Sequence, residues 1–202
     1  NGFDDIKREI SGAKRLSVIF AGEPGAGTVL VSAGGGSCYF FEAAGRLNLP
    51  DLSGKEVVTN SAKELLSRQG RGGPEKILDI MLMAYMLNPE KNYDDPAHVL
   101  NEYTGLVVMS YEEVTGKGAK KIIPALADKK EMEKYAFSVL HAAEAAADGM
   151  FEKIKADSAG KLYCGMELRL AAVLAKMEKT GLKIDRARLA EISRKTEKEI
   201  EK

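Results

Sequence analysis

Four groups of residues have types and spacings that could support chemistry. Gly22-Glu23-Pro24-Gly25-Ala26-Gly27-Thr28 is glycine-rich, like a loop that cradles phosphate with its backbone N–H groups. Such a loop needs a lysine after its second framing glycine, then Ser or Thr for magnesium. Here Thr28 follows Gly27 directly, and a strand follows where a helix N-terminus should hold the anion. A tight turn is the simpler reading, because glycine is what a hairpin turn requires. His98 and His141 are the only histidines, and neither lies in a metal-ligand spacing such as His-Glu-x-x-His. Both read as structural or surface side chains. Lys117, Lys120 and Lys121 make a small basic patch, open to two readings: a solvated loop or a phosphate contact. Cys38 and Cys164 lack metal spacing and read as lone thiols of a reducing cytosol.

Bulk properties narrow the classes further. The 202 residues suit one domain with an appendage, or two small ones. At 45% hydrophobic and 30% charged, the chain can build a core and is not wholly disordered. Lys+Arg and Asp+Glu balance at 30 each, so any nucleic-acid contact must be local. The segment 176–202 carries nine basic and six acidic residues, a mildly positive face that reads as solvated. With no signal peptide or spanning segment legible, a cytoplasmic protein is expected, without a membrane partner. The start at Asn1 without Met, and the charged helical end, look like cuts from a longer protein.

These side chains need elements to position them. Residues 3–11 form an amphipathic helix candidate, with Phe3, Ile6 and Ile10 on one side. Arg15–Ala21, residues 28–33 and 37–42 read as strands joined by glycine-rich turns, hence an antiparallel meander. Glu56–Thr59 is a fourth strand, and residues 61–68 a helix ended by Gly70. The stretch 78–89, LDIMLMAYMLNP, is the longest apolar run. Asp79 is its N-cap and Asn88-Pro89 its stop. A helix apolar all round predicts burial on every side, and this one is too short to span a bilayer. Residues 94–103 predict a short helix with Pro96 near its start. Asp128 caps a long helix with a stripe of Met132, Tyr135, Ala136, Val139, Leu140, Ala143, Met150, Phe151 and Ile154. Residues 157–160 break the chain. Residues 166–179 form an amphipathic helix with Met166, Leu170, Val173, Leu174 and Met177 in register. Gly181 turns the chain into a charged helix, 186–202, with a thin stripe of Leu189, Ile192 and Ile200. Strands first and helices after predict an α/β or α+β domain with a mixed sheet.

Three segments in order resemble the family A DNA polymerases, the bacterial DNA polymerase I group. Residues 166–185, MELRLAAVLAKMEKTGLKID, resemble the opening of that family's polymerase domain, with Glu167, Leu170, Val173, Leu174, Met177, Glu178, Gly181, Ile184 and Asp185 matching its pattern. The stretch 78–89 is similar to the core helix of its 3′–5′ exonuclease domain, with Asp79, Leu82, Ala84, Tyr85, Leu87 and Pro89 fitting and Leu78 in place of Phe. Gly116–Lys121 followed by Pro124 resembles the same family, its Bacillus-type members in particular.

The resemblance implies an α/β, ribonuclease-H-like (DnaQ-like exonuclease) mixed sheet flanked by helices, with a C-terminal helical extension. Residues 1–160 would be the exonuclease-like domain, and 165–202 the first part of the polymerase domain, entering its thumb. Active members hold two divalent ions with four carboxylates. Carried onto this sequence, those positions are Phe20 and Gly22 on the first strand, Ala62, and Val139 four residues after Tyr135. All four are apolar or lack a side chain. A register slip would bring in Glu23, but one carboxylate cannot hold two magnesium ions. The expectation is therefore an inert, scaffolding exonuclease-like domain with no catalytic residue, metal or cofactor of its own. Its partners would be the rest of its polymerase chain and, through the parent, primer-template DNA, with magnesium serving the parent. Lys117, Lys120 and Lys121 are the candidate DNA contacts. Two alternatives stand beside this: a single-stranded-DNA or partner-binding module that lost catalysis, and a surviving proofreading nuclease.

Overall fold

The computed structural model describes residues 9–23, 27–34, 36–42, 49, 51–70, 72–118 and 121–200. The positions expected at Phe3 and Ile6 fall outside these, as do Pro24–Ala26 of the first turn and Lys120 of the basic patch; residues 9–12 are helical and Ile10 is buried. Among the described residues five strands form one sheet: β1 (Arg15–Ala21), β2 (Thr28–Ser32), β3 (Cys38–Glu42), β4 (Glu56–Thr59) and β5 (Lys76–Asp79). The order is β3-β2-β1-β4-β5, with β1–β2 and β2–β3 antiparallel and β1–β4 and β4–β5 parallel. The expected meander is therefore present, and two parallel strands extend it.

Alternation along the strands divides the core. Leu16, Val18 and Phe20 of β1 join Val29, Val31 and Val57 in one cluster, with Leu65 of α1 (Ala62–Arg68). Ile19 and Ala21 face the other way, with Leu30, Val58 and Leu78. That second face is covered by α2 (Ile80–Leu87), α3 (Pro96–Thr104), α4 (Tyr111–Thr115) and the long α5 (Lys129–Ala156). Asp128 caps α5, accepting from the N–H groups of Lys130 at 2.9 Å and Glu131 at 3.1 Å. The predicted α5 stripe is buried, apart from a half-buried Phe151. Each branched or aromatic side chain on it contributes about 1.5–3 kcal/mol of burial.

The apolar run 78–89 differs from its reading. Leu78 and Asp79 end β5, and α2 starts only at Ile80. Asp79 is both the last strand residue and the cap, accepting from Met81 N and Leu82 N at 3.1 Å. Nor is α2 packed on every side: Ile80, Met83 and Ala84 are buried, while Tyr85 is 57% exposed. Its surplus apolar side chains instead line clefts, Met81 on one side and Met81, Leu82 and Tyr85 on another. The short helix α3 begins at Pro96, with Asp95 as its cap, two residues later than read.

After Ser158, at φ +61°, a helical turn Gly160–Leu162 leads through a π-helical segment, Tyr163–Glu167, into α6 (Leu168–Thr180). Helix is thus continuous from six residues before the predicted start. α6 packs on α1, with Ala171, Ala172 and Ala175 its less exposed side chains, Leu168 against the main core, and Lys63 paired to Glu178 at 2.7 Å. Its predicted stripe of Met166, Leu170, Val173, Leu174 and Met177 is 40–62% exposed. α7 (Arg186–Ile200) likewise exposes Leu189, Ile192 and Ile200. Among the described residues no helix is long and apolar enough to cross a membrane.

Candidate functional site

A constellation of polar and aromatic groups lies at the C-terminal ends of β1 and β4. There a cleft of about 540 Å³ is lined by apolar and aromatic Phe20, Met81, Tyr111 and Tyr135 and by charged Glu23, Asp94, Asp95, Glu112, Lys117 and Lys121. Its volume lies in the range of small-molecule sites. Two side-chain amide and carboxylate groups shape it. β4 stops at Thr59, and the Asn60 side chain takes over the ladder to β1. Its Oδ1 accepts the Phe20 N–H and its Nδ2 donates to the Phe20 carbonyl, both at 2.8 Å. Asp95 caps α3 through Ala97 N at 2.7 Å and accepts the Tyr111 N–H at 3.1 Å, tying α3 to α4. The sequence offered no periodic signal for either role, since each depends on where a neighbouring element ends.

The four positions the resemblance assigns to metal ligands fare differently. Phe20 and Gly22 line the cleft with Glu23 and Tyr135; Ala62 and Val139 do not. The Phe20 ring is buried among Leu16, Val18 and Leu65, and the Arg68 guanidinium sits 5.6 Å from its centroid. Gly22 has φ +86°, and a Cβ there would fall 2.7 Å from Tyr111 Cε1. No ordinary side chain fits without moving that ring. Ala62 is fully buried, and its N–H donates to Asp79 Oδ2 at 2.6 Å. Val139 is fully buried among the residues between α5 and the sheet. A carboxylate at either place would be unsolvated.

The charged groups at the rim are already engaged. Lys121 donates to Glu23 at 2.7 Å, which holds the Glu23 carboxyl below and the Lys121 ammonium above their usual ranges. Lys117 pairs with Glu112 at 3.2 Å. Two lysines of the basic patch are thus paired with carboxylates in exposed surface bridges, while Lys120 lies outside the described residues. Tyr135 lies against Tyr111 with ring centroids 5.8 Å apart, and its hydroxyl finds no hydrogen-bond partner among the described residues. Burial, with Asp95 and Tyr111 nearby, pushes that phenol well above its ordinary value. His98 lines the cleft, whereas His141 stacks on Phe137 at the surface, as read. Among the described residues no three His, Cys, Asp or Glu side chains come together in a way that could hold a metal. The donor set at the four assigned positions does not fit a pair of divalent ions, which take oxygen ligands.

The family model for the ribonuclease H-like domain of DNA polymerase I matches residues 55–144. DNA polymerase I of Bacillus subtilis (strain 168) is 32% identical over 111 residues, 55% of this chain and 12% of that protein. DNA polymerase I of Geobacillus stearothermophilus is 28% identical over 146 residues, 71% of this chain and 16% of that protein. The chain therefore spans only a small part of the length of these relatives. Among solved structures, NrnC of Brucella melitensis superposes with a TM-score of 0.57 at 12% identity, covering 89% of this chain and 92% of that one. At that identity the likeness concerns the fold alone. Together with the family match, the mixed sheet and flanking helices make the fold ribonuclease-H-like.

Proposed function

The chain carries a ribonuclease-H-like domain of the DNA polymerase I kind, and from that premise we propose that this domain is a catalytically inert scaffold within a DNA polymerase. Gly22 carries the reading. Where the resemblance requires a carboxylate, the backbone is left-handed and a Cβ would strike Tyr111. Phe20, Ala62 and Val139 support it by being packed as core. On this reading residues 1–160 are the exonuclease-like domain and 165–202 the first helices of the polymerase domain. The rest of the polymerase chain is the partner of the exposed α6 stripe. Primer-template DNA and magnesium belong to the parent's polymerase site, and the setting is the bacterial cytoplasm. The pairing of Lys117 and Lys121 with carboxylates disfavours the single-stranded-DNA module, and the missing carboxylates disfavour the proofreading nuclease.

The test is direct. Purified chain at high concentration is incubated with 3′-labelled single-stranded DNA and magnesium or manganese. No shortening of the strand is the expected outcome. Metal-dependent release of terminal nucleotides, abolished by chelation, overturns the proposal.

A further inference from the structure

The side chain of Tyr163 stands where a sixth strand would begin. β5 is the edge of the sheet, and Lys76 N–H bonds Lys55 O, so the groups of Ile77 and Asp79 point outward, away from β4. An open row of this kind is a pairing hazard that folds cover or blunt. Here one phenol covers it. The Tyr163 hydroxyl accepts the Asp79 N–H at 2.8 Å and donates to the Ile77 carbonyl at 3.2 Å, filling both valences of a single rung. The ring is fully buried and lies 5.9 Å from Phe151 of α5.

Tyr163 is also the first residue of the π-helical segment that leads into α6. Beyond Leu168, which packs on the main core at its first residue, the attachments of α6 are small side chains and one surface pair. Ala171, Ala172 and Ala175 give a smooth contact with α1, without the ridges that select a crossing angle. The Lys63–Glu178 pair is largely exposed and contributes little. We propose that Tyr163 is a latch: its hydroxyl, seated on the open edge of β5, fixes the direction of α6 so that sheet and helix move as one body. The latch is built from residues within this chain and stands whether or not the domain is an inert scaffold.

The experiment compares the native chain with Y163F, which keeps the ring and deletes the hydroxyl. In the native chain the Asp79 amide should exchange as slowly as the central β1 amides, despite lying on a sheet edge. In Y163F it should exchange about tenfold faster, as expected for one lost hydrogen bond. Spin labels at K130C and K176C, in a C38S/C164S background, should give one narrow distance distribution that broadens in Y163F and stays narrow in K63A. An Asp79 amide that already exchanges rapidly in the native chain overturns the latch, and that measurement needs no variant to fold. An unbroadened distribution in a folded Y163F overturns it as well.

Discussion

The Asp79 carboxylate accepts the backbone N–H of Ala62 at 2.6 Å, so the cap of α2 also pins the start of α1. Replacing Asp79 by Ala strands three backbone donors and removes a helix cap. The expected cost is about 2–3 kcal/mol in urea unfolding. A loss below 0.5 kcal/mol, the usual bound for a surface substitution, would detach Asp79 from this role.

The same carboxylate gives a pH signature. Burial raises its pKa above the ordinary range, against the three N–H donors that pull it down. The folded chain therefore retains a proton that the unfolded chain releases. The associated stability is complete below the ordinary carboxylate pKa and is lost as pH rises through the raised value. Measured against D79N, the native chain should lose relative stability across that window. A difference that is flat, or that grows with pH, contradicts the assignment.

Placing carboxylates at positions 139 and 62 should destabilise the domain. V139D places a charge in a fully buried position with no partner, and A62D sets a second carboxyl beside Asp79. Each should lower unfolding free energy by several kcal/mol, on the order of 3–5 for V139D. Thermal melting of the two variants checks this; a melting temperature within a degree of native for V139D would mean the site can still hold an acid.

Gly22 and Gly34 separate strain from collision. Both have positive φ, +86° and +82°, but a Cβ meets Tyr111 at 2.7 Å in the first and nothing within 4 Å in the second. G34A should cost about 1–2 kcal/mol for the left-handed backbone alone. G22A should cost roughly 1–3 kcal/mol more. Equal losses would show that the Tyr111 ring yields freely.

Freeing the paired lysines should raise affinity for DNA. In E23Q/E112Q, Lys121 and Lys117 lose their carboxylate partners. Fluorescence anisotropy with a single-stranded oligonucleotide should then show a salt slope of about −1.4 in log–log form, for two phosphate contacts. The native chain should give a slope near zero. A steep native slope would restore the DNA-binding reading.

Much of the fold was legible where local chemistry marks an end. Glycine-rich turns delimit the first three strands, and Asp128 announces α5. β5 was not legible, because Ile77-Leu78-Asp79 runs into α2 without a break and Asp79 serves both elements. The lack of a polar face on α2 was read as burial all round, yet Tyr85 and Met81 face clefts instead. The lack of a carboxylate at positions 20, 22, 62 and 139 could be read by counting from the resemblance. The work of Asn60, Asp95 and Tyr163 could not, because each joins elements distant in sequence and neither periodicity nor spacing reports such contacts.

Asn60 has a consequence for how such a domain changes over generations. Its amide grips the main chain of Phe20, just as Asp79 grips the main chain of Ala62. Main-chain groups are common to every residue other than proline. At positions 20 and 62 these polar anchors therefore make no demand on which side chain is present, and substitution there is filtered by packing alone. Hydrophobic replacements at those positions incur no hydrogen-bond penalty, while Asn60 and Asp79 themselves stay constrained. Random mutagenesis scored only for soluble folding should accordingly tolerate many apolar residues at 20 and few substitutions of any kind at 60.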